Sequence, residues 1–293
     1  MDLLKTLQAI NACHGPAGDE SEVSEVLEKL AMPFVDECYQ DTLGNLIAHK
    51  KGSGSRVMFA AHMDSIGCIV TYIEKEGYVR FCKVGGLHAT DLIATPVRFK
   101  NGVRGVICLS EAVDPKDMTL DDLYIDIGAH DADEAKAMIK IGDTAVYDTP
   151  TYAVGDRIVS PYMDNRISCM VLLMAMETLQ NSENDLYFVF TSQEEVGLRG
   201  AKTAAYSIDP DYGIAVDVTV SADELGTKHA GSSKLGSGAA IKVMDTSVIC
   251  HPQMVSKLET LAKERGIDAQ MDIIKAGGTD AGSIHISKMG AVS

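Results

Sequence analysis

Val57-Met58-Phe59-Ala60-Ala61-His62-Met63-Asp64 decides the fold: five apolar residues read as a buried strand, and the run stops at an imidazole and a carboxylate. The arrangement returns at Leu186-Tyr187-Phe188-Val189-Phe190, which leads to Glu194 and Glu195, and at Ile214-Ala215-Val216, which stops at Asp217. Asp164 opens a long apolar helix. In an open α/β sheet the carboxyl ends of the strands line one crevice, so side chains far apart in sequence meet there. The pattern predicts an α/β fold with a metal site assembled at its strand ends.

Outward from that core, Leu3 to about Cys13 reads as an amphipathic helix, followed by a turn at Gly15-Pro16-Ala17-Gly18. Asp19 or Ser21 caps a second helix through Leu30, with Val23, Val26, Leu27 and Leu30 on one face. Strand-like runs follow at 34–39, 45–49 and 57–61, punctuated by Gly44 and Gly52-Ser53-Gly54. From about Cys68 to Gly155 the texture changes to short alternating strands at 69–73, 78–81, 96–99 and 105–108, with one helical stretch at 131–139. That is the pattern of an inserted β-rich domain. Helix and strand alternate again from Arg157: helix 165–179, strand 186–191, helix 198–206, strand 213–218 and helix 254–265. The expected division is a catalytic domain in two parts, 1–67 and 157–293, interrupted by a β-rich domain over 68–156. The candidate site residues lie on both sides of the insertion.

With 293 residues, of which 46% are hydrophobic and 23% charged, the chain is long enough for a large core and too apolar for disorder. A net charge of −16 repels a nucleic-acid backbone or an anionic membrane surface. The N-terminus lacks the basic start and continuous apolar run of a signal peptide, and no stretch reaches the ~18 uninterrupted apolar residues of a membrane span. Seven cysteines, odd in number, scattered and in no C-x-x-C spacing, point to reduced thiols and a cytoplasmic protein. Cys68 and Cys169 lie in apolar runs and read as small core residues.

Each candidate has a plainer explanation beside the chemical one. His62-x-Asp64 places an imidazole and, two residues on along an extended backbone, a carboxylate that can orient it; such a pair also satisfies loop amides. Asp164 can bridge two cations or simply cap the helix that follows. Glu194 and Glu195 are two adjacent carboxylates that repel unless a cation or proton separates them. Both face one cavity only if the chain turns there, which Gly197 permits. One then binds metal while the other serves as general base on water activated by the metal; a solvated loop start is the competing account. Asp217 ends a strand too apolar for a sheet edge, at the rim, where a cap or salt bridge would also place it. Together His62, Asp164, Glu194, Glu195 and Asp217 suit Zn²⁺ or Co²⁺, and with one bridging carboxylate two such ions. His14, His49, His88, His130, His229 and His251 lie in loops or at element ends without a partner at ligand spacing and read as structural or surface residues. His285 follows Gly277-Gly278-Thr279-Asp280-Ala281-Gly282, whose glycines would let backbone amides approach a ligand.

On these residues the chain resembles the M42 family of metallo-aminopeptidases, the glutamyl and tetrahedral aminopeptidase group. The matching stretches include Gly15-Pro16, Asp41-Thr42-Leu43-Gly44-Asn45-Leu46, Ala61-His62-Met63-Asp64-Ser65-Ile66-Gly67, Val84-Gly85-Gly86 and Asp122-Leu123-Tyr124-Ile125-Asp126-Ile127-Gly128. They continue through Met163-Asp164-Asn165-Arg166, Glu194-Glu195-Val196-Gly197-Leu198-Arg199-Gly200, Val216-Asp217, Ile241-Lys242-Val243-Met244-Asp245 and the Gly277–Gly282 loop, so the likeness spans essentially the whole chain. It implies a mixed-sheet, phosphorylase/hydrolase-like zinc-peptidase domain with an inserted β-barrel-like domain used in dimerisation, and a homo-oligomer, a dodecamer built from dimers. It implies hydrolysis of N-terminal residues from peptides, acidic residues being the candidate preference. It implies one metal on His62 and Asp217, a second on Glu195, Asp164 bridging, Glu194 as general base, Asp64 orienting His62, and a cis peptide between Asp164 and Asn165.

Family members continue past the stretch that matches Gly290-Ala291-Val292-Ser293 and supply a histidine that completes the Glu195 site. This chain stops first, so the expectation is a sound site at His62, Asp164 and Asp217 and a weak or empty second one. An assembly-competent but catalytically impaired chain is the alternative function. A glycosidase, suggested by endoglucanase labels on some relatives, needs two carboxyls flanking a sugar and no metal. His62 and the absence of tryptophan for sugar stacking tell against it.

Overall fold

A computed structural model describes residues 1–111, 113–179, 181–227 and 233–293, and they form two compact units. One takes in Met1–Leu27, Met63–Arg166 and Glu195–Gly197; the other takes in Glu28–His62, Ile167–Glu194 and Leu198–Ser293.

The first unit contains a closed six-stranded barrel, in the order Gly67–Ile73, Val79–Val84, Leu123–Asp126, Arg104–Leu109, Pro96–Phe99 and Thr144–Tyr147. All neighbours are antiparallel. Side chains alternate with a period of two along each strand, so Val97, Phe99, Ile107, Leu123 and Ile125 fill the inside while Arg104 and Val106 face out. Closure leaves none of these strands with a free edge to template unwanted pairing. The helix Leu3–Asn11 starts where the Asp2 carboxylate accepts the Lys5 N–H at 3.0 Å, and it buries Leu7 and Ile10. Its expected end at Cys13 is two residues late.

His14 follows that helix and is fully buried, with Nε2 2.8 Å from Thr144 Oγ1 and 3.5 Å from Asp19 Oδ2. Its Nδ1 has no hydrogen-bond partner among the described residues. Burial pushes the imidazole down from 6.5 to about 4, and the Asp19 carboxylate opposes that only in part. Between those two values the unfolded chain binds the extra proton, so stability rises with pH across that window. The contribution of neutral His14 is whole above about pH 6.5 and is lost as the pH falls towards 4, by at most about 3 kcal/mol. Urea unfolding at about pH 7 and about pH 4 should show this loss, and His14→Gln should flatten it; an equal slope in the variant would assign the acid sensitivity elsewhere.

The second unit holds a five-stranded mixed sheet in the order Glu37–Gln40, Leu46–Lys50, Asp185–Thr191, Arg56–His62 and Tyr212–Ala215. The first two pairings are antiparallel and the last two parallel. The strand expected from Phe34 begins at Glu37, because Met32–Phe34, with Pro33 in its first turn, forms a 3₁₀ turn instead. The Arg199–Ile208 helix buries Ala201, Ala204, Ala205 and Ile208, a stripe at helical spacing, against Ile47, Met58, Ala60 and Val189 of the sheet. Small alanines let helix and sheet approach closely. A parallel pair, Ala239–Met244 with Ala269–Ile273, flanks the helix Pro252–Arg265, the crossover that parallel strands require. No helix of the described residues is long and apolar enough to cross a membrane.

Candidate metal centre

Three parallel strands of the second unit end at one level. Thr191 pairs with His62, Ala215 pairs with Ala60, and the Val216 N–H donates to the Ala60 carbonyl at 2.7 Å. Chain geometry then brings His62, Glu194 and Asp217 together: His62 Nε2 lies 3.8 Å from Glu194 Oε2 and 3.9 Å from Asp217 Oδ1. One potential ligand atom from each residue lies within 4.8 Å of the others. The His62 side chain is 2% exposed and those of Glu194 and Asp217 10% and 13%, so the two carboxylates are poorly screened and repel one another. An imidazole nitrogen and two carboxylate oxygens converging in this way fit a divalent cation of the Zn²⁺ or Co²⁺ type. Cys169 backs the strand end, its Sγ donating to the His62 carbonyl at 3.3 Å.

The turn that Gly197 was expected to permit involves more of the chain. Gln193 (φ 54°), Gly197 (φ 119°) and Leu198 (φ 56°) all take positive φ. For Gln193 and Leu198 that costs on the order of 1–3 kcal/mol each and has to be imposed by the surroundings. Thr191 Oγ1 donates to the buried Asp280 carboxylate at 2.5 Å, and Ser283 Oγ donates to the Leu198 carbonyl at 3.1 Å. Sequence reading gave Asp280 no separate role, since nothing in its spacing shows that it lies beneath a strand end.

In the first unit a carboxylate oxygen of Asp164 lies within 4.8 Å of one of Glu195. Asp64 is fully buried and accepts the Glu195 N–H at 3.1 Å, so it fixes the backbone of the second glutamate. The Asp164–Asn165 peptide is cis, as the family resemblance implies, and both residues depart from helical backbone angles within Met163–Thr178.

The other histidines are structural or peripheral where described. His49 stands between Glu37 Oε1 (2.8 Å from Nδ1) and Asp185 Oδ1 (2.7 Å from Nε2), partners supplied by neighbouring strands and therefore invisible to spacing along the chain. His251 caps the Pro252–Arg265 helix by accepting the Gln253 N–H, while His88 and His130 are exposed. His285 ends the short helix Ala281–Ile284. His229 lies outside the described residues. The glycine loop before His285 is already filled. A Cβ on Gly278 or Gly282 would come within 2.8 or 2.5 Å of the Ser247 side chain, whose hydroxyl accepts the Thr279 N–H at 3.2 Å. These two glycines make room for a serine.

A sequence profile described as M42 glutamyl aminopeptidase matches residues 44–293. A protein of Acetivibrio thermocellus that carries an aminopeptidase designation is 47% identical over 293 residues, covering 100% of this chain and 88% of its own. The aminopeptidase APDkam598 from Desulfurococcus kamchatkensis superposes with a TM-score of 0.94 at 36% identity, over 99% of this chain and 84% of its own. The TET1 peptidase of Pyrococcus horikoshii, which can assemble into a tetrahedron or a large octahedral shell, gives 0.86 at 32% identity, over 98% and 89%.

Proposed function

The chain belongs to the M42 glutamyl aminopeptidase family, and we propose that it removes N-terminal residues from peptides by metal-assisted hydrolysis, with Glu194 as general base. The observation that carries this reading is the convergence of His62, Glu194 and Asp217 at the ends of adjacent parallel strands. Bound divalent cations supply polarisation of the scissile carbonyl and a lowered pKa for water. Following the resemblance, His62 and Asp217 hold one ion, Glu195 the other, Asp164 serves both, and Asp64 orients His62. The His62–Asp217 distance of 3.9 Å supports the first assignment, and the approach of Asp164 to Glu195 within 4.8 Å supports the second. Zn²⁺ or Co²⁺ suits this mixture of imidazole and carboxylate donors.

Glu194 takes a proton from the attacking water and returns it to the amine that leaves. Its low exposure keeps bulk water from competing for that proton. A buried histidine among carboxylates is what metal hydrolysis asks for and what a two-carboxyl glycosidase does not.

The finer features of the proposal are a phosphorylase/hydrolase-like catalytic domain over 1–67 and 157–293, an assembly domain over 68–156, a homo-oligomer built from dimers, and a cytoplasmic location. The resemblance supports the division and the assembly, and the odd, scattered cysteines support the location. Acidic N-terminal residues are the proposed preference.

The deciding experiment is release of chromogenic anilides from a panel of amino-acid substrates. Turnover should stop on chelation, return with Zn²⁺ or Co²⁺, and be fastest with glutamyl or aspartyl anilide. Activity that survives complete metal removal would sink the mechanism, and absence of turnover with every metal would leave the impaired-chain alternative standing.

A further inference from the structure

Asn45 is fully buried at the entrance of the Leu46–Lys50 strand, and its carboxamide holds both ends of the segment that carries Glu194. Oδ1 accepts the Ser192 N–H at 2.9 Å and the Ser192 hydroxyl at 3.3 Å. One Nδ2 hydrogen is shared between the Gly200 carbonyl at 3.0 Å and Thr203 Oγ1 at 3.1 Å. The carboxamide is itself fixed from the other side. The other Nδ2 hydrogen goes to Asp41 Oδ2 at 2.6 Å, and Asp41 Oδ1 accepts the Leu43 and Asn45 N–H groups at 2.9 and 3.0 Å.

The fit is close. A Cβ on Gly200 would lie 2.2 Å from Asn45 Oδ1 and 2.3 Å from the Ser192 carbonyl, so only glycine lets the helix start this near the amide. Between the two clamped ends the chain makes the left-handed excursions at Gln193 and Leu198 that point Glu194 towards His62. A conformation of that kind persists only where its surroundings over-determine it. An amide serves here where a carboxylate or hydroxyl would not, because the loop base presents a donor at Ser192 and an acceptor at Gly200, and an Asn side chain satisfies both at once.

We propose that Asn45 is a positioning residue for the reaction: it locks the Ser192–Gly200 loop base and thereby sets the placement of the Glu194 carboxylate. The inference rests on Glu194 being the general base. Asn45→Ala releases both ends, whereas Asn45→Asp keeps the acceptor, loses the donor to Gly200, and sets a second carboxylate against Asp41. Asp41→Asn is a milder release that leaves Asn45 in place, and Thr203→Val removes a hydroxyl that acts at the Gly200 end alone, where it donates to the Gly200 carbonyl at 3.0 Å.

Amide hydrogen exchange on metal-free protein reads the clamp without reference to activity. The Ser192 amide should lose protection in Asn45→Ala, and Gly200 and its neighbours should lose it in Asn45→Asp, with a smaller loss in Asp41→Asn; in Thr203→Val the Ser192 amide should keep its protection. With metal loaded, kcat in the two Asn45 variants should fall by about 100-fold with KM and metal content little changed, the cost of a misplacement of about 1 Å. Unaltered protection in the Asn45 and Asp41 variants, or an equal loss at the Ser192 amide in Thr203→Val, would overturn the clamp. Lost protection with full kcat would overturn its link to Glu194. An inactive wild-type protein would refute the proposed function while leaving the exchange result to decide the clamp on its own.

Discussion

Glu194→Gln is expected to lower kcat by about 10²–10⁴-fold while the protein keeps its metal content and its KM. Glutamine has the same length and shape, so His62 Nε2 and Asp217 keep the neighbour that stands 3.8 Å from the imidazole. What disappears is the site that accepts a proton. Geometry alone offers a rival role, since the Glu194 oxygen closes a triangle with His62 and Asp217 that is itself a plausible ligand set. The two roles differ in what the substitution removes. A ligand carboxylate replaced by a neutral amide releases metal, so metal content and activity fall together and excess Zn²⁺ or Co²⁺ restores part of the rate. A general base replaced by an amide leaves the metal bound and the rate low at any metal concentration. Metal analysis of the purified variant beside its steady-state kinetics decides between them. Loss of metal in step with activity would move Glu194 into the ligand set and leave the base to be found elsewhere.

The strand ends could be read from sequence because the signal was local: an apolar run that ends in His62, Asp217 or the Glu194-Glu195 pair states both burial and chemistry within a few residues. The β-rich insertion could be read for the same reason, as alternation at 96–99 and 105–108 matches the burial of Val97, Phe99 and Ile107, while its barrel form is implied by the family resemblance alone. Contacts across the fold left no such trace. His49 meets Glu37 through the neighbouring strand and Asp185 from more than a hundred residues away. Asn45 looks like the ordinary first residue of a strand until Ser192 and Gly200 are set against it. The strands Ala239–Met244 and Ala269–Ile273 leave no clear pattern beside the helix between them, because each is short and much of each lies exposed. The glycines at 278 and 282 announced a close approach correctly, but the neighbour turned out to be Ser247. Sequence patterns report how a residue is buried and what its own chemistry is. They do not report which distant group completes it.

Arg166→Met is expected to destabilise the protein by about 2–4 kcal/mol. The guanidinium is completely buried. It donates through Nε to the Met63 carbonyl at 2.9 Å and through its terminal nitrogens to Ile10 at 2.8 Å, Cys13 at 3.5 Å and Gly15 at 3.3 Å. Its Cζ also stands 5.4 Å from the centre of the Tyr162 ring. Ile10 lies in the last turn of the Leu3–Asn11 helix and Cys13 just beyond its cap at Ala12, where carbonyls lack an intrahelical donor and a cation is favourable. Methionine fills much of the volume but offers no donor, so the Met63 and Cys13 carbonyls lose Arg166 at about 1–3 kcal/mol each, while Gly15 keeps the Ser65 N–H and hydroxyl and Ile10 keeps the Cys13 N–H. The desolvation cost of the arginine charge is recovered in part, which holds the total below that sum. Arg166→Lys should retain most of the defect, because one ammonium at the end of a flexible stem does not span four carbonyls that a rigid fork reaches from fixed directions. Urea unfolding of the two variants and the wild type tests this. A loss below about 1 kcal/mol in Arg166→Met would mean that the carbonyls find other donors readily. Equal stability of Arg166→Lys and wild type would show that charge, and not the fork, is what this position requires. A consequence for the site follows from the chain itself: Met63 lies between His62 and Asp64, so an unanchored Met63 carbonyl loosens the peptide that joins them, and metal affinity should fall along with stability.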